Sequence, residues 1–220
     1  MKDLKEVKNI LKKVHEKESR VMFKRLGDKK KLYVTGVLDA SYKNDDRSVA
    51  GEIIMLANER NMDVSPIYWK SGVIKRVCMS PKAAETRALM KMVDDATNLA
   101  RQVSQLLGLR IRTRLFTDSR PLLESIGSSG QIEEKNLRQS IMYFKQSLES
   151  GDVIGDSWIQ GKEIVADVLT KRGSRREALN EIVLENKFSH AQTRDNYVSY
   201  ENGEFKIRNK VMKKQKQEAQ

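Results

Sequence analysis

Four acidic residues stand apart from the rest of the 30 by where they fall. Asp39 follows "VTGVL" and closes a β-rich run. Glu85 lies in "AAETRAL", on the side of a helical pattern that carries Ala84 and Leu89. Asp118 follows "LFT" at the end of a second β-rich run. Asp167 sits in "GKEIVADVLTK" among Ile164, Val165, Val168 and Leu169, which are spaced to cover one helical face. An unpaired carboxylate beside such a surface is costly, so Asp167 calls for a partner. Four carboxylates gathered in one place repel unless cations neutralise them. Hard divalent cations with oxygen ligands do so, and Mg²⁺ takes a few carboxylates together with water and phosphate oxygens. Two such ions about 3.5–4 Å apart clamp the attacking and leaving oxygens of a phosphodiester displacement. A single strand-end aspartate is more often a cap than a ligand, so the weight rests on the set of four.

Other chemistries find little support. The chain has one cysteine, Cys78, and two histidines, His15 and His190, far apart in sequence. That excludes an internal disulfide framework and a cysteine-rich zinc site. No apolar run approaches the length that spans a bilayer, and "MKDLKEVKNILKK" has no signal-peptide core. The expectation is a chain without a membrane partner in a reducing, intracellular compartment. The formal net charge of +12 is unevenly distributed: residues 1–31 carry +7, residues 188–220 carry +3, and residues 32–187 only +2. Basic arms favour a polyanionic partner, because lysine and arginine displace condensed counterions from phosphates. Scattered lysines on solvated helices are the plainer alternative.

The acids must be positioned by the elements around them. "KLYVTGVLDAS" (31–41), "VAGEIIMLA" (49–57) and "SPIYWKSGVIKRVCM" (65–79) read as three strands of an antiparallel meander, with Gly72 as a candidate bulge. Residues 80–108 switch to a 3.6-residue period, with Ser80 as N-cap, Pro81 in the first turn and Gly108 at the end. A fourth strand follows at 111–119, a short helix at 120–126 and a longer one at 133–149. A fifth strand spans 152–159, the Asp167 segment continues as a helix, and a last helix spans 174–186. This order implies an α/β (α+β) fold: a five-stranded mixed sheet, its first three strands antiparallel, with helices on both faces. Residues 2–26 have helical spacing. Past 187, "NYVSYENGEFKIR" reads as a hairpin around Asn202-Gly203, and a lysine-rich tail follows. The expected organisation is a helical basic arm over 1–30, a domain over 31–187 and a basic extension over 188–220.

Taken together, "LDASYKNDDRSVAGEI" (38–53), "IYWKS" (67–71), "SPKAAETRAL" (80–89), "LFTDSRPLL" (115–123) and "IVADVLTK" (164–171) resemble the ribonuclease H domain of copia-type (Pseudoviridae) retrotransposon Pol polyproteins. The first and last segments are the specific ones, and the match covers about residues 31–171. Residues 1–30 are similar, more loosely, to the connection joining that domain to reverse transcriptase. Thr86 replaces the family's aromatic residue after the helix acid, "DSRP" replaces a more usual Asn-Gln, and "WIQGKEIVA" has no histidine.

The resemblance implies a ribonuclease H fold and hydrolysis of the RNA strand of an RNA–DNA hybrid with two Mg²⁺ ions, for which Mn²⁺ can substitute. It implies that Asp39 bridges both ions, that Asp167 helps hold the ion activating the water, and that Glu85 and Asp118 hold the other. The implied partners are the hybrid and a reverse transcriptase domain, in the cytoplasm (a virus-like particle) or the nucleus. Lys70, Lys75, Arg76, Ser119 and Lys135 are candidate substrate contacts, and Trp69 and Trp158 are expected to pack structurally. The alternative, from a different class, is a catalytically silent module of the same fold that binds nucleic acid or reverse transcriptase. A third keeps the fold and changes the substrate, as in transposases, integrases and junction resolvases.

Overall fold

The computed structural model describes residues 21–44, 47–61, 63–128, 134–171, 173–174, 176–190 and 197–208, besides the isolated positions 8 and 12. β1 (Leu32–Asn44), β2 (Arg47–Asn58) and β3 (Val64–Val73) form the expected antiparallel meander. The chain then crosses through α1 (Pro81–Leu107) to β4 (Thr113–Thr117), which lies parallel to β1. Two helices, α2 (Arg120–Gly127) and α3 (Lys135–Glu149), lead to β5 (Val153–Trp158), parallel to β4. After α4 (Asp167–Thr170) and α5 (Glu177–Glu185) come β6 (Tyr197–Glu201) and β7 (Glu204–Arg208). The sheet order is β3-β2-β1-β4-β5-β6-β7.

Alternation along the strands sends side chains to two separate cores. Val34, Leu38, Ile54 and Leu115 pack with Leu89 and Met92 of α1, Leu122 and Ile126 of α2 and Phe144 of α3. Tyr33, Val37, Ile53 and Phe116 face the other way, onto Ile164, Val165, Ala166, Ile182 and Phe188. Helices therefore cover both faces. The longest, α1, has the ends its sequence specifies. The Ser80 hydroxyl accepts from the Ala83 N–H at 3.1 Å, a cap worth about 1 kcal/mol, and Gly108 closes the helix at φ 64°.

Several expectations need correction. Among the described residues the sheet has seven strands, not five, because the C-terminal hairpin adds to it: β6 pairs with β5 and β7 with β6. Its turn has positive φ at both Asn202 (54°) and Gly203 (84°). Without the hairpin β5 would be an open edge, a standing template for pairing with another chain. Asp39 lies inside β1 rather than at its end, since the strand continues five residues further to Asn44. The segment around Asp167 is not a full helix but a 3-10 turn, Gly161–Glu163, and the four-residue α4. The β2–β3 ladder slips at Ile67, between the pairs Ile54↔Tyr68 and Met55↔Pro66, and not at Gly72. Pro66 has no N–H to donate, so the ladder gives way beside it. Trp69 is not packed, being 54% exposed. Most of the helix expected over 2–26 lies outside the described residues, and positions 21–26 within them carry no helix. The tail beyond 208, and Asp45 and Asp46 of the first motif, also lie outside them.

Candidate functional site

The parallel register of β1 and β4 runs from Val34↔Thr113 to Val37↔Phe116. Two residues beyond that last pair stand Asp39, still within β1, and Asp118, just past the end of β4. α1 starts at the same end of the sheet, and its second turn delivers Glu85. One carboxylate oxygen from each of Asp39, Glu85 and Asp118 lies within 4.8 Å of the other two. Asp39 is 1% exposed. The Ala40 backbone N–H donates to the Glu85 carboxylate, whose Oε2 is buried without a hydrogen-bond partner. A buried oxygen left without a donor costs about 1–3 kcal/mol unless something else satisfies it. The donors are all hard carboxylate oxygens, and together with the orphaned Oε2 they suit a Mg²⁺-like cation.

The electrostatics have the same origin. Burial, then the charges of Asp118 and Asp39, push the Glu85 carboxyl up to about 9. Burial followed by the Asp39 charge pushes Asp118 up to about 6. Asp39 is also raised, by burial above all, although Thr170 and Lys171 pull it down. Like charges in a desolvated space favour protons or cations.

Asp167 does not join the three. Its Oδ1 accepts from the Lys171 ammonium at 2.5 Å, and the same ammonium lies 3.3 Å from Asp39 Oδ1. The Thr170 hydroxyl donates to Asp39 Oδ2. Asp167 is thus tied to the cluster through a lysine rather than seated within it. Thr170 and Lys171 were not singled out from the sequence. Their signals in the sequence are the quoted "IVADVLTK" segment that contains both and the i, i+4 spacing of Asp167 and Lys171, neither of which places them against Asp39.

The short α4 is held there by residues from the other quoted segments. A Cβ at Gly51 would meet Leu169 Cβ at 2.9 Å and Thr170 Cγ2 at 2.8 Å, so β2 admits α4 only with glycine at this position. The Ser71 hydroxyl donates to the Leu169 carbonyl at 2.5 Å. Gly51 of "DDRSVAG" and Ser71 of "WKS" therefore seat the "ADVLTK" segment. On the other side Gly161 approaches Asp118, where a Cβ would stand 3.1 Å from Oδ2. Thr86 is buried, and its hydroxyl donates to the Lys82 carbonyl at 2.7 Å.

Of the candidate substrate contacts, Lys70, Lys75 and Arg76 line one groove of about 1120 Å³ between β3 and α1, with Arg47 and Arg87. Arg87 follows Glu85 by two residues, and its Nε is buried without a hydrogen-bond partner. Ser119 lies at the junction of β4 and α2, where its N–H donates to Thr117 Oγ1 at 3.1 Å. Lys135 is exposed at the start of α3 and is not part of the groove lining. Trp158 is half-buried. Its Nε1 donates to the Asp118 carbonyl at 3.0 Å, and the Arg120 guanidinium sits 4.0 Å over its ring.

A further acid went unnoticed in the sequence. Asp156 of β5 is fully buried without a side-chain partner among the described residues, and burial pushes its carboxyl up to about 8 although the Ser157 backbone N–H pulls it down. "DVIGDSW" held no hint of this, because alternation leaves the inward face of a short strand undecided until its neighbours are known.

No protein-family model matches the sequence, and no curated protein matches it. Among solved structures the chain is similar to ribonuclease H1 of the halophilic archaeon Halobacterium salinarum NRC-1, at 16% identity and a TM-score of 0.47, over 68% of this chain and 98% of that one. It is similar to LC11-RNase H1 in complex with an RNA/DNA hybrid at 13% identity and a TM-score of 0.47, over 64% and 94% of the two chains. For a foamy viral protease–reverse transcriptase in complex with dsDNA the values are 15% and 0.42, over 70% and 98%. Likenesses of this size transfer neither residues nor activity. No helix among the described residues is long and apolar enough to cross a membrane.

Proposed function

We propose that the chain is a ribonuclease H, a divalent-cation-dependent endonuclease that hydrolyses the RNA strand of RNA–DNA hybrids, belonging to or derived from a copia-type retrotransposon Pol polyprotein. The observation that carries this is the convergence of Asp39, Glu85 and Asp118, from two strands and a helix, to within 4.8 Å. The resemblance in the five quoted segments supports the choice of hybrid as substrate and a reverse transcriptase domain as partner.

Asp39, Glu85 and Asp118 would hold a Mg²⁺ ion, with Asp167 as the fourth acid of a two-ion site. Such ions supply an activated water and stabilise the charge that builds on a phosphodiester. The chain's own contributions are positional. Thr170 orients Asp39, Ala40 N–H orients Glu85, and Gly161 leaves Asp118 accessible. The resemblance also assigns Glu85 a contact with the RNA 2′-hydroxyl, the group that distinguishes the two strands. The basic groove that collects Lys70, Lys75 and Arg76 suits a phosphate backbone. Ser119, beside Asp118, is a further candidate backbone contact.

The test is cleavage of a labelled hybrid with and without Mg²⁺. Asp118→Asn is expected to abolish it while the circular dichroism spectrum and melting temperature stay near those of the wild type. Undiminished cleavage by that variant would overturn the proposal. Salt-dependent hybrid binding without cleavage, surviving loss of the acids, would favour the silent module instead.

A further inference from the structure

Lys171 is the one described cation that reaches two of the four acids. Its ammonium lies 2.5 Å from Asp167 Oδ1 and 3.3 Å from Asp39 Oδ1. The backbone supports this placement, since Lys171 N–H donates to the Asp167 carbonyl at 2.9 Å and closes the single turn of α4. The two side chains therefore emerge on one face, as i, i+4 neighbours do. Gly51 and Ser71 fix that turn against the sheet, so the ammonium cannot leave by moving α4. It can leave by rotating its own side chain, which is 43% exposed.

The other half of the site is different. Among the described residues neither Glu85 nor Asp118 forms an ion pair with a lysine or arginine, although the Lys171 charge pulls both carboxyls down, and Glu85 Oε2 is left buried without a donor. Lys171 thus pairs directly with Asp39 and Asp167 and reaches Glu85 and Asp118 only through its charge. A cation bound between two carboxylates opposes the entry of a second one, by direct repulsion and by occupying their oxygens.

We propose that Lys171 is a built-in competitor for the ion position between Asp39 and Asp167. The chain takes one divalent cation firmly at Asp39, Glu85 and Asp118, and a second only by displacing the Lys171 ammonium. This rests on the nuclease reading and adds to it an unequal, lysine-controlled loading of the two ions.

The experiment is titration of the metal-stripped full chain with Mn²⁺, without nucleic acid, followed by calorimetry and by the electron paramagnetic resonance of unbound Mn²⁺. The wild type is expected to bind one ion firmly and a second at least about tenfold more weakly. Lys171→Met should tighten the second site about tenfold or more and leave the first nearly unchanged, so that the two affinities converge. Lys171→Gln serves as an independent replacement should the methionine variant fold poorly. Asp118→Asn should lose the firm site, identifying which one it is. A second-site affinity unchanged in both Lys171 variants, with the firm site intact, would overturn the competitor role and leave the nuclease reading standing. A wild type that binds no ion at all would overturn both.

Discussion

Two places in this molecule bury carboxylates, and they are built differently. Where β1, the end of β4 and the start of α1 meet, three acids are pushed upward above all by burial and then by neighbouring carboxylates, and they border an exposed lysine and a fourth acid. At Asp156 one acid is pushed up to about 8 by burial, against the pull of the Ser157 backbone N–H, with no side-chain partner or cation among the described residues. Asp156 lies in register with Leu115 of β4 and Val198 of β6, both members of the apolar core beneath α1, α2 and α3. A raised carboxyl is thus a property of burial and does not by itself mark a site. What distinguishes the first place is convergence: several groups from different elements aim at one space, and a side chain can enter or leave it.

The sharpest way to break this contrast is to neutralise one acid in each place. Asp39→Asn is expected to lower Mg²⁺-dependent hybrid cleavage by at least about 10³-fold in a steady-state assay, because it removes the residue central to the cluster. Asp156→Asn should leave cleavage near the wild-type level. If both variants lose activity equally without unfolding, the two acids belong to one functional unit and the contrast fails.

Gly51→Ala tests whether the seat of α4 matters as much as the acids. A methyl group at this position would press on Leu169 and Thr170, costing about 1–3 kcal/mol in denaturant unfolding. It should weaken cleavage as well, since Thr170 and Lys171 move with the turn. Unaltered stability would show that the approach of β2 and α4 is looser than the structure indicates.

Asp156→Asn carries a stability prediction of its own. In the folded state its carboxyl titrates near 8, against 3.8 when unperturbed, so the folded protein holds a proton that the unfolded chain gives up. Its contribution is fully favourable below about pH 4 and is lost as pH rises toward 8. Removing the acid should therefore raise stability at neutral pH by about 1–3 kcal/mol and flatten the fall between pH 5 and 8. Melting temperatures across that range check both parts, and a steeper fall in the variant would reverse the sign.

The smallest expected effect is that of Thr170→Val, which removes the hydroxyl donor to Asp39 and keeps the shape. Cleavage should fall about tenfold. Stability should change by about 1 kcal/mol in thermal melts. An unchanged rate would mean that Asp39 is held by β1 alone.

Much of the frame could be read from local pattern. The meander, the capped 27-residue α1, the helices at 120–127 and 135–149 and the Asn202-Gly203 turn each depend on signals within a few residues. All four acids could be grouped as an expectation because strand ends and helix starts tend to meet at one edge of a sheet; three of them converge, although Asp39 lies within β1. The rest depended on neighbours. The hairpin's turn was legible, but nothing in "NYVSYENGEFKIR" says which strand it will join. The amphipathic spacing of 164–169 reads as a helix, whereas those apolar residues pack around a turn and only Asp167–Thr170 are α-helical.

The sequence by itself determined the element types, the caps, the surplus of basic charge in the arms and the presence of acids where strands and helices begin and end. These follow from backbone sterics and hydrophobic period, which act over one or two turns of chain. Only the tertiary structure decided that β5 would be covered by β6, that Asp156 would be fully buried, and that Asp167 would be paired with Lys171 beside the three converging acids. Thr170 reaches Asp39 across 131 residues of sequence. A contact of that span depends on which faces pack together, and that is settled only when the whole sheet and its two cores form at once.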